Sequence, residues 1–292
     1  MRQVSETNYL TTKEVARLCR VSDATVKRWE DAGLLKSERT SGKHRRFRAE
    51  EVARFQREQG LGQKTCHGDR SVQNSVARRK NLACSSSTLF DLLASGCEEE
   101  TANFMIGAFL QGAALTDIFD NLLSPAMQRI GELWYQGELS VTQEHLATRA
   151  AHYAVHKLRA SLPLPEMNGK TAFCAAMEGD LHELPSYLAQ VAIENEGWEV
   201  MNFGANTPLF SLTEEILQYA PSAVCLSSTY MTELERLSRD YKTLREHAHK
   251  LKIPLILGGK MFEDDHVRRR FPADLYARTF AEVAHFIERL SA

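Results

Sequence analysis

Between residues 166 and 292, short apolar runs alternate with stretches of helical apolar spacing, and this alternation restricts the fold more than any other feature of the chain. Strand-like runs fall at Thr171 to Met177, Glu199 to Phe203, Ala223 to Ser228, Pro254 to Leu257 and, weakly, Asp274 to Tyr276, with helical segments after each. Short loops joining such units predict a doubly wound parallel sheet. In that architecture the loops at the carboxyl ends of the strands meet the ligand. They hold His182, Gly204 to Pro208, Ser227 to Thr229, and Gly258 with Gly259. Asp180 stands two residues before His182, so its carboxylate can accept one ring N–H and leave the other nitrogen to a metal.

The segment before this one, Thr88 to about Leu164, has helical apolar spacing broken at Gly96, Gly112 and Gly137, which predicts four helices. On the third, Ile118, Leu122, Ala126, Ile130 and Trp134 follow at four-residue steps, so Trp134 is expected to end a buried stripe. The fourth opens with a capping box, Ser140 with Gln143, and brings Val141, Glu144 and His145 into its first turns. His145, His152 and His156 share one side of the helical wheel but climb about 16 Å along it, too far for one ligand. His152 and His156 are read as packing or surface residues.

At the amino terminus, a helix capped by Thr11 with Glu14 is followed by a second, Asp23 to Ala32, capped by Ser22 and ended by Gly33. Thr25, Lys27 and Arg28 fall on its outer side. Thr40 to Phe47, with Lys43, His44, Arg45 and Arg46, reads as a basic wing, and a helix follows from Ala49 to Gln59. Trp29 is placed in the core beside Val26 and Leu34. Charge supports a nucleic-acid role. Residues 1–80 carry 19 Lys and Arg against 10 Asp and Glu, about +9, which leaves 17 against 28, about −11, for the remainder.

The stretch from Gly60 to about Ser87, rich in Gly, Ser, Gln and Lys, reads as a flexible linker. Its Cys66–His67 pair lacks a second pair to complete a metal site. The six cysteines show no C-x-x-C spacing and read as reduced thiols. No apolar run approaches the roughly 18 residues of a membrane span, and the first ten residues hold no apolar signal core, so a cytoplasmic protein is expected.

The head resembles the winged helix-turn-helix of the MerR family. A four-helix bundle followed by a Rossmann-like domain looks like a cobalamin-binding module: Asp180-x-His182, Ser227-x-Thr229 and Gly258-Gly259 match D-x-H-x-x-G, S-x-L and G-G in order. Trp134, nine residues, then Glu144-His145 matches the W-x9-E-H signature of the MerR-type adenosylcobalamin light sensors of the CarH and LitR type. The resemblance implies a multidomain α and α/β chain. It has a winged helix-turn-helix at 1–60, a linker at 61–87, a four-helix bundle at 88–165 and a Rossmann-like doubly wound parallel sheet at 166–292.

It further implies that His182 binds cobalt of adenosylcobalamin and Asp180 orients it. Ser227, Ser228, Thr229, Gly258 and Gly259 would receive the displaced nucleotide tail. Trp134 and Val141 would wall the adenosyl group, and Glu144 and His145 would hydrogen-bond it. The expected activity is that of a non-enzymatic repressor. It binds double-stranded operator DNA as a dark dimer or tetramer and releases it when light cleaves the cobalt–carbon bond. Three positions depart from the family pattern: Pro185 stands for the Gly of D-x-H-x-x-G, Thr229 for the Leu of S-x-L, and Tyr135 where thermophilic-type sensors carry a His after the Trp. The last leaves water or His145 as upper ligand after photolysis. Two alternatives stay open: a regulator of this type that ignores cobalamin or senses haem or another tetrapyrrole, and a corrinoid methyltransferase or mutase subunit.

Overall fold

The computed structural model describes residues 9–19, 21–39, 44–59, 86–163 and 165–291. Lys43, Cys66, His67, Cys84 and residues 61–85 of the expected linker lie outside them. The chain forms two compact units, residues 1–164 and 165–292. It is multidomain α/β, mostly helical, with a helix-turn-helix and a five-stranded parallel sheet, as expected.

The first unit opens with β1 (Tyr9–Thr11), α1 (Thr12–Cys19), α2 (Asp23–Asp31), β2 (Glu38–Arg39), β3 (Arg45–Arg48) and α3 (Ala49–Glu58). Both expected caps form: Thr11 N–H donates to Glu14 at 2.7 Å and Glu14 N–H to the Thr11 hydroxyl at 3.3 Å, while Thr25 N–H donates to Ser22 Oγ at 3.2 Å. β3 lies between β1 and β2 in an antiparallel sheet. β1 was not foreseen, because three residues with one apolar side chain show no periodicity. Leu10, Val15, Val26, Leu35, Phe47, Val52 and Phe55 make the core, with Trp29 half-buried and its ring 4.8 Å from that of Phe55. Leu34, expected beside it, is exposed, and Leu35 fills the place.

Helix α4 (86–94) already includes Ser86 and Ser87, so the expected linker ends earlier than Ser87. Then come α5 (Glu98–Leu110), α6 (Leu115–Ile118), a π turn (Phe119–Leu123), α7 (Ser124–Tyr135) and α8 (Val141–Ser161). The breaks stand where predicted. At Gly137, φ is +77°, a backbone only glycine adopts without strain, and the chain there turns from α7 toward α8. The π turn was unforeseen and bears on Trp134. Four-residue steps drift by about 40° each around an α-helix, and a wider π turn absorbs that drift only as far as it extends. Ile118, Leu122, Ala126 and Ile130 are buried, but by Trp134 the stripe has rotated outward and the indole is 47% exposed. The expected burial of Trp134 is therefore corrected.

Within this unit α3 packs on α5 and α8. Leu110 closes over the head's core, and Lys157 of α8 pairs with Glu50 of α3 at 2.8 Å.

The second unit alternates β4 (Thr171–Ala176), α9 (Leu184–Glu194), β5 (Glu199–Asn202), α10 (Leu209–Tyr219), β6 (Ala223–Ser227), α11 (Leu234–Lys250), β7 (Leu255–Gly258), α12 (Asp265–Arg270), β8 (Leu275–Ala277) and α13 (Phe280–Ser291). The strands are parallel in the order β5-β4-β6-β7-β8. Alternate residues of β4 serve two cores. Phe173 and Ala175 pack with Leu212, Leu226 and Tyr241, while Ala172 and Cys174 pack with Ile193, Trp198 and Ile287. A strand covered on both faces reads as an unbroken apolar run, which is why β4 and β6 were legible. Cys174 and Cys225 are register partners, and their mutual hydrogen bond together with burial pushes the Cys174 thiol well above its ordinary value, so it is an inert core group. Among the described residues no helix is long and apolar enough to cross a membrane.

Candidate functional site

The strand order places the first strand of the sheet, β4, between β5 and β6, so successive connections leave β4 in opposite directions. The crevice of such a sheet opens at this switch point, at the carboxyl edge shared by β4 and β6. The loop after β4 carries Asp180 and His182, and the loop after β6 begins at Ser228. Met177 N–H donates to Ser227 O at 2.9 Å and joins the two loops at their roots.

Asp180 is fully buried and hydrogen-bonded throughout. Its Oδ1 lies 2.6 Å from His182 Nδ1 and accepts His182 N–H at 2.9 Å, and its Oδ2 accepts Thr229 N–H. Burial by itself would raise this carboxyl. The bonds from the His182 ring and from the Thr229 and His182 amides outweigh it and hold the group below the ordinary carboxylate range. An ionised, oriented carboxylate fixes the tautomer of the imidazole, which puts Nε2 at the service of a metal. The ring itself is exposed, as are Leu181 and Tyr230.

The role of the 227–229 segment differs in part from expectation. Ser227 Oγ, at the carboxyl end of β6, is buried and without a hydrogen-bond partner, an unsatisfied donor and acceptor. Ser228 Oγ turns back to Tyr230 O at 3.2 Å, and the contribution of Thr229 to Asp180 is its backbone amide. Gly259, at φ +100°, makes room for protein: a Cβ there would meet Ser228 O at 2.4 Å. Gly258 is open by comparison, its nearest would-be neighbour being Ala277 O at 3.4 Å. Pro185, in the first turn of α9, lacks only an N–H that no helical carbonyl could accept.

On the first unit, Trp134 and Tyr135 at the end of α7 are exposed, as are Val141 and Leu146 at the start of α8. The predicted capping box of Ser140 and Gln143 is present. Glu144 accepts the Thr148 hydroxyl at 2.7 Å, and His145 Nε2 lies 3.6 Å from Glu144 Oε2. His156 is exposed and His152 half-buried. The Trp134 indole and the His145 imidazole are exposed, and the Glu144 carboxylate is half-buried.

On the head, Lys27 and Arg28 of α2 are exposed, and Thr25 bonds Ser22. His44 is exposed and Arg46 half-buried on β3. The guanidinium of Arg45, expected to reach phosphate, pairs in this structure with Glu30 and, at 3.3 Å, with Asp31. Glu30 also accepts from Ser37 at 2.6 Å, so Arg45 fastens the wing to the carboxyl end of α2.

A family described as a helix-turn-helix domain matches residues 9–60, and two families described as B12 binding domains match residues 87–159 and 170–284. The chain is similar to dimethylamine corrinoid protein 1 of Methanosarcina mazei, 23% identical over 145 residues, 49% of this chain and 67% of that protein. It is similar also to trimethylamine corrinoid protein 1 of Methanosarcina acetivorans, 20% identical over 189 residues, 64% of this chain and 87% of that protein. The structure of the monomethylamine corrinoid protein of Methanosarcina barkeri shares the fold, with a TM-score of 0.59 and 19% identity over 70% of this chain and 96% of that one. B12-binding domains behind an amino-terminal helix-turn-helix fit a cobalamin-binding regulator.

Proposed function

We propose that this chain is a cytoplasmic, non-enzymatic, MerR-type transcriptional repressor gated by adenosylcobalamin and light, of the CarH and LitR type. The observation that carries the reading is the joining, in one chain, of a helix-turn-helix head to a sheet whose switch point holds a buried, fully bonded carboxylate beneath an exposed histidine. The head runs 1–60, a linker from 61 ends before the helix that begins at 86, the bundle follows to 165, and 166–292 is the cobalamin-binding sheet.

The residues fit the group. His182 would hold cobalt through Nε2 with Asp180 orienting it, and the unbonded Ser227 hydroxyl supplies a buried polar contact for the nucleotide tail, with Ser228, Thr229, Gly258 and Gly259 lining its entry. Trp134 and Val141 would pack the adenosyl group, and Glu144 and His145 would hydrogen-bond it. When bound, the cofactor supplies a cobalt–carbon bond that light cleaves. Trp134 and Glu144 would hold the adenosyl group, so that without it α7 and α8 would be free to rearrange and an oligomer, dimer or tetramer, that holds operator DNA in the dark would come apart. Lys27 and Arg28 enter the major groove with Thr25, and Lys43, His44, Arg45 and Arg46 approach phosphates.

The test is to purify the full chain with adenosylcobalamin in the dark and record absorption, size and operator binding before and after green light. Bound corrinoid, with a spectral change and loss of DNA binding on illumination, is expected. Absence of corrinoid, or no change in any of the three, overturns the reading. The named relatives favour a second reading, a corrinoid-carrying methyltransferase or mutase subunit. Corrinoid binding without any DNA binding would select it.

A further inference from the structure

Asn206 lies in the loop after β5 and belongs to none of the ligand motifs. The ladder between β4 and β5 ends at Asn202, yet pairing resumes beyond it: Ala176 N–H donates to Gly204 O at 2.8 Å, and Thr207 N–H to Ala176 O at 3.0 Å. Asn206 completes this extension in an unusual way. Its φ is +52°, a left-handed conformation that Asn tolerates better than other side chains bearing a Cβ. In that conformation its side chain and its main chain face the same neighbour. Oδ1 accepts Gly179 N–H at 2.9 Å, and its own N–H donates to Asp180 O at 2.9 Å. The residue thus grips the Gly179–Asp180 segment with an acceptor and a donor.

Asp180 N–H is engaged in turn by Met177 O at 3.0 Å, and the carboxylate by Thr229 and His182. Loops from three neighbouring strands, β5, β4 and β6, therefore converge on one aspartate. Its position sets the direction of the His182 ring. We propose that Asn206 is a positioning residue for the His182 imidazole, acting through the main chain of Gly179 and Asp180, and that it tunes how firmly this histidine holds a corrinoid metal. The second clause rests on the cobalamin reading above; the first does not.

The decisive variants follow from the backbone. Asn206→Gly keeps the left-handed conformation without strain and removes only the Oδ1 acceptor, whereas Asn206→Asp keeps an acceptor at the same place. The side chain is exposed, so the added charge is screened. Two measurements on the full chain separate the clauses.

In the apo-protein, labelled with 15N in its histidine rings, the His182 signals are assigned by their loss in His182→Ala. Asn206→Gly is expected to move the Nδ1 and Nε2 shifts toward those of an unrestrained imidazole, and Asn206→Asp to leave them at the wild-type values. Shifts unchanged in Asn206→Gly, or moved equally in both variants, overturn the positioning role. With hydroxocobalamin as probe, Asn206→Gly is expected to bind about threefold to tenfold more weakly than wild type, the effect of one lost hydrogen bond, and Asn206→Asp within about twofold. Equal affinities of wild type and Asn206→Gly overturn the tuning role. A wild type that takes no hydroxocobalamin overturns the cobalamin reading, and the ring shifts then still decide the role of Asn206.

Discussion

The loop at His182 and the surface at Trp134 are built in opposite ways. Around His182 every link to the fold is made. The aspartate is buried, its carboxylate accepts three bonds, and its backbone is held on both sides. At Trp134 the capping box fixes where α8 begins, but the indole, Val141 and His145 face solvent. A metal ligand must be oriented before the metal arrives, because coordination tolerates little error. A wall against a departing group gains from being loosely tied, since the fold then loses little when the contact breaks.

Three substitutions test that contrast, and a fourth tests the wing. The largest effect is expected at Gly259→Ala. Its Cβ would stand 2.4 Å from the Ser228 carbonyl at a φ of +100°, so the second unit should lose about 3 kcal/mol or more, read by denaturant unfolding. A loss under about 1 kcal/mol would mean that the 228–229 segment yields easily and is not the rigid support described. Next comes His182→Ala, for which cobalamin retained through gel filtration should fall at least about 100-fold while the protein stays folded. Retention equal to wild type would remove the axial role.

Trp134→Ala should lower unfolding stability by less than about 0.5 kcal/mol, although a buried tryptophan costs about 3–5 kcal/mol to truncate, and should still weaken adenosylcobalamin binding. A stability loss above about 2 kcal/mol would place the indole in the core after all. The smallest effect concerns Glu30. Burial raises its carboxyl, but bonds from Ser37 and Arg45 prevail and hold it below the ordinary value. A carboxylate with a depressed folded value stabilises the head at pH above its unfolded value and loses that contribution as the pH falls through the folded one. Stability of the wild-type head should decline across the acid range, and Glu30→Gln should flatten that decline. The same slope in both proteins would detach Glu30 from the wing.

Much of the fold was legible because its signals are local. The five strands read as apolar runs, the caps as Ser or Thr three residues before Glu or Gln, and the loop motifs stood in strand order. What escaped depends on groups far apart in sequence or on groups without sequence identity. The pairing of Arg45 with Glu30 joins residues fifteen apart, beyond the reach of local pattern. Thr229 contributes an amide that any residue but proline would offer, so no motif could announce it. The π turn at Phe119–Leu123 arises where packing outweighs regular spacing, and with it went the burial of Trp134. Asn206 left one trace, an Asn in a loop near Gly204, the kind of residue that takes a left-handed backbone.

Helix α8 carries Glu144 and His145 in its first turn and Lys157, paired with Glu50 of the head, three turns further on. Twelve residues separate His145 from Lys157, about 18 Å of uninterrupted helix. A tilt of about 5° pivoting at the first turn moves the far end by about 1.6 Å, several times the spread of distances within which an ion-paired hydrogen bond keeps its strength. The helix is thus a lever arm whose short end meets whatever touches Glu144, and whose long end meets the head where Lys157 pairs with Glu50.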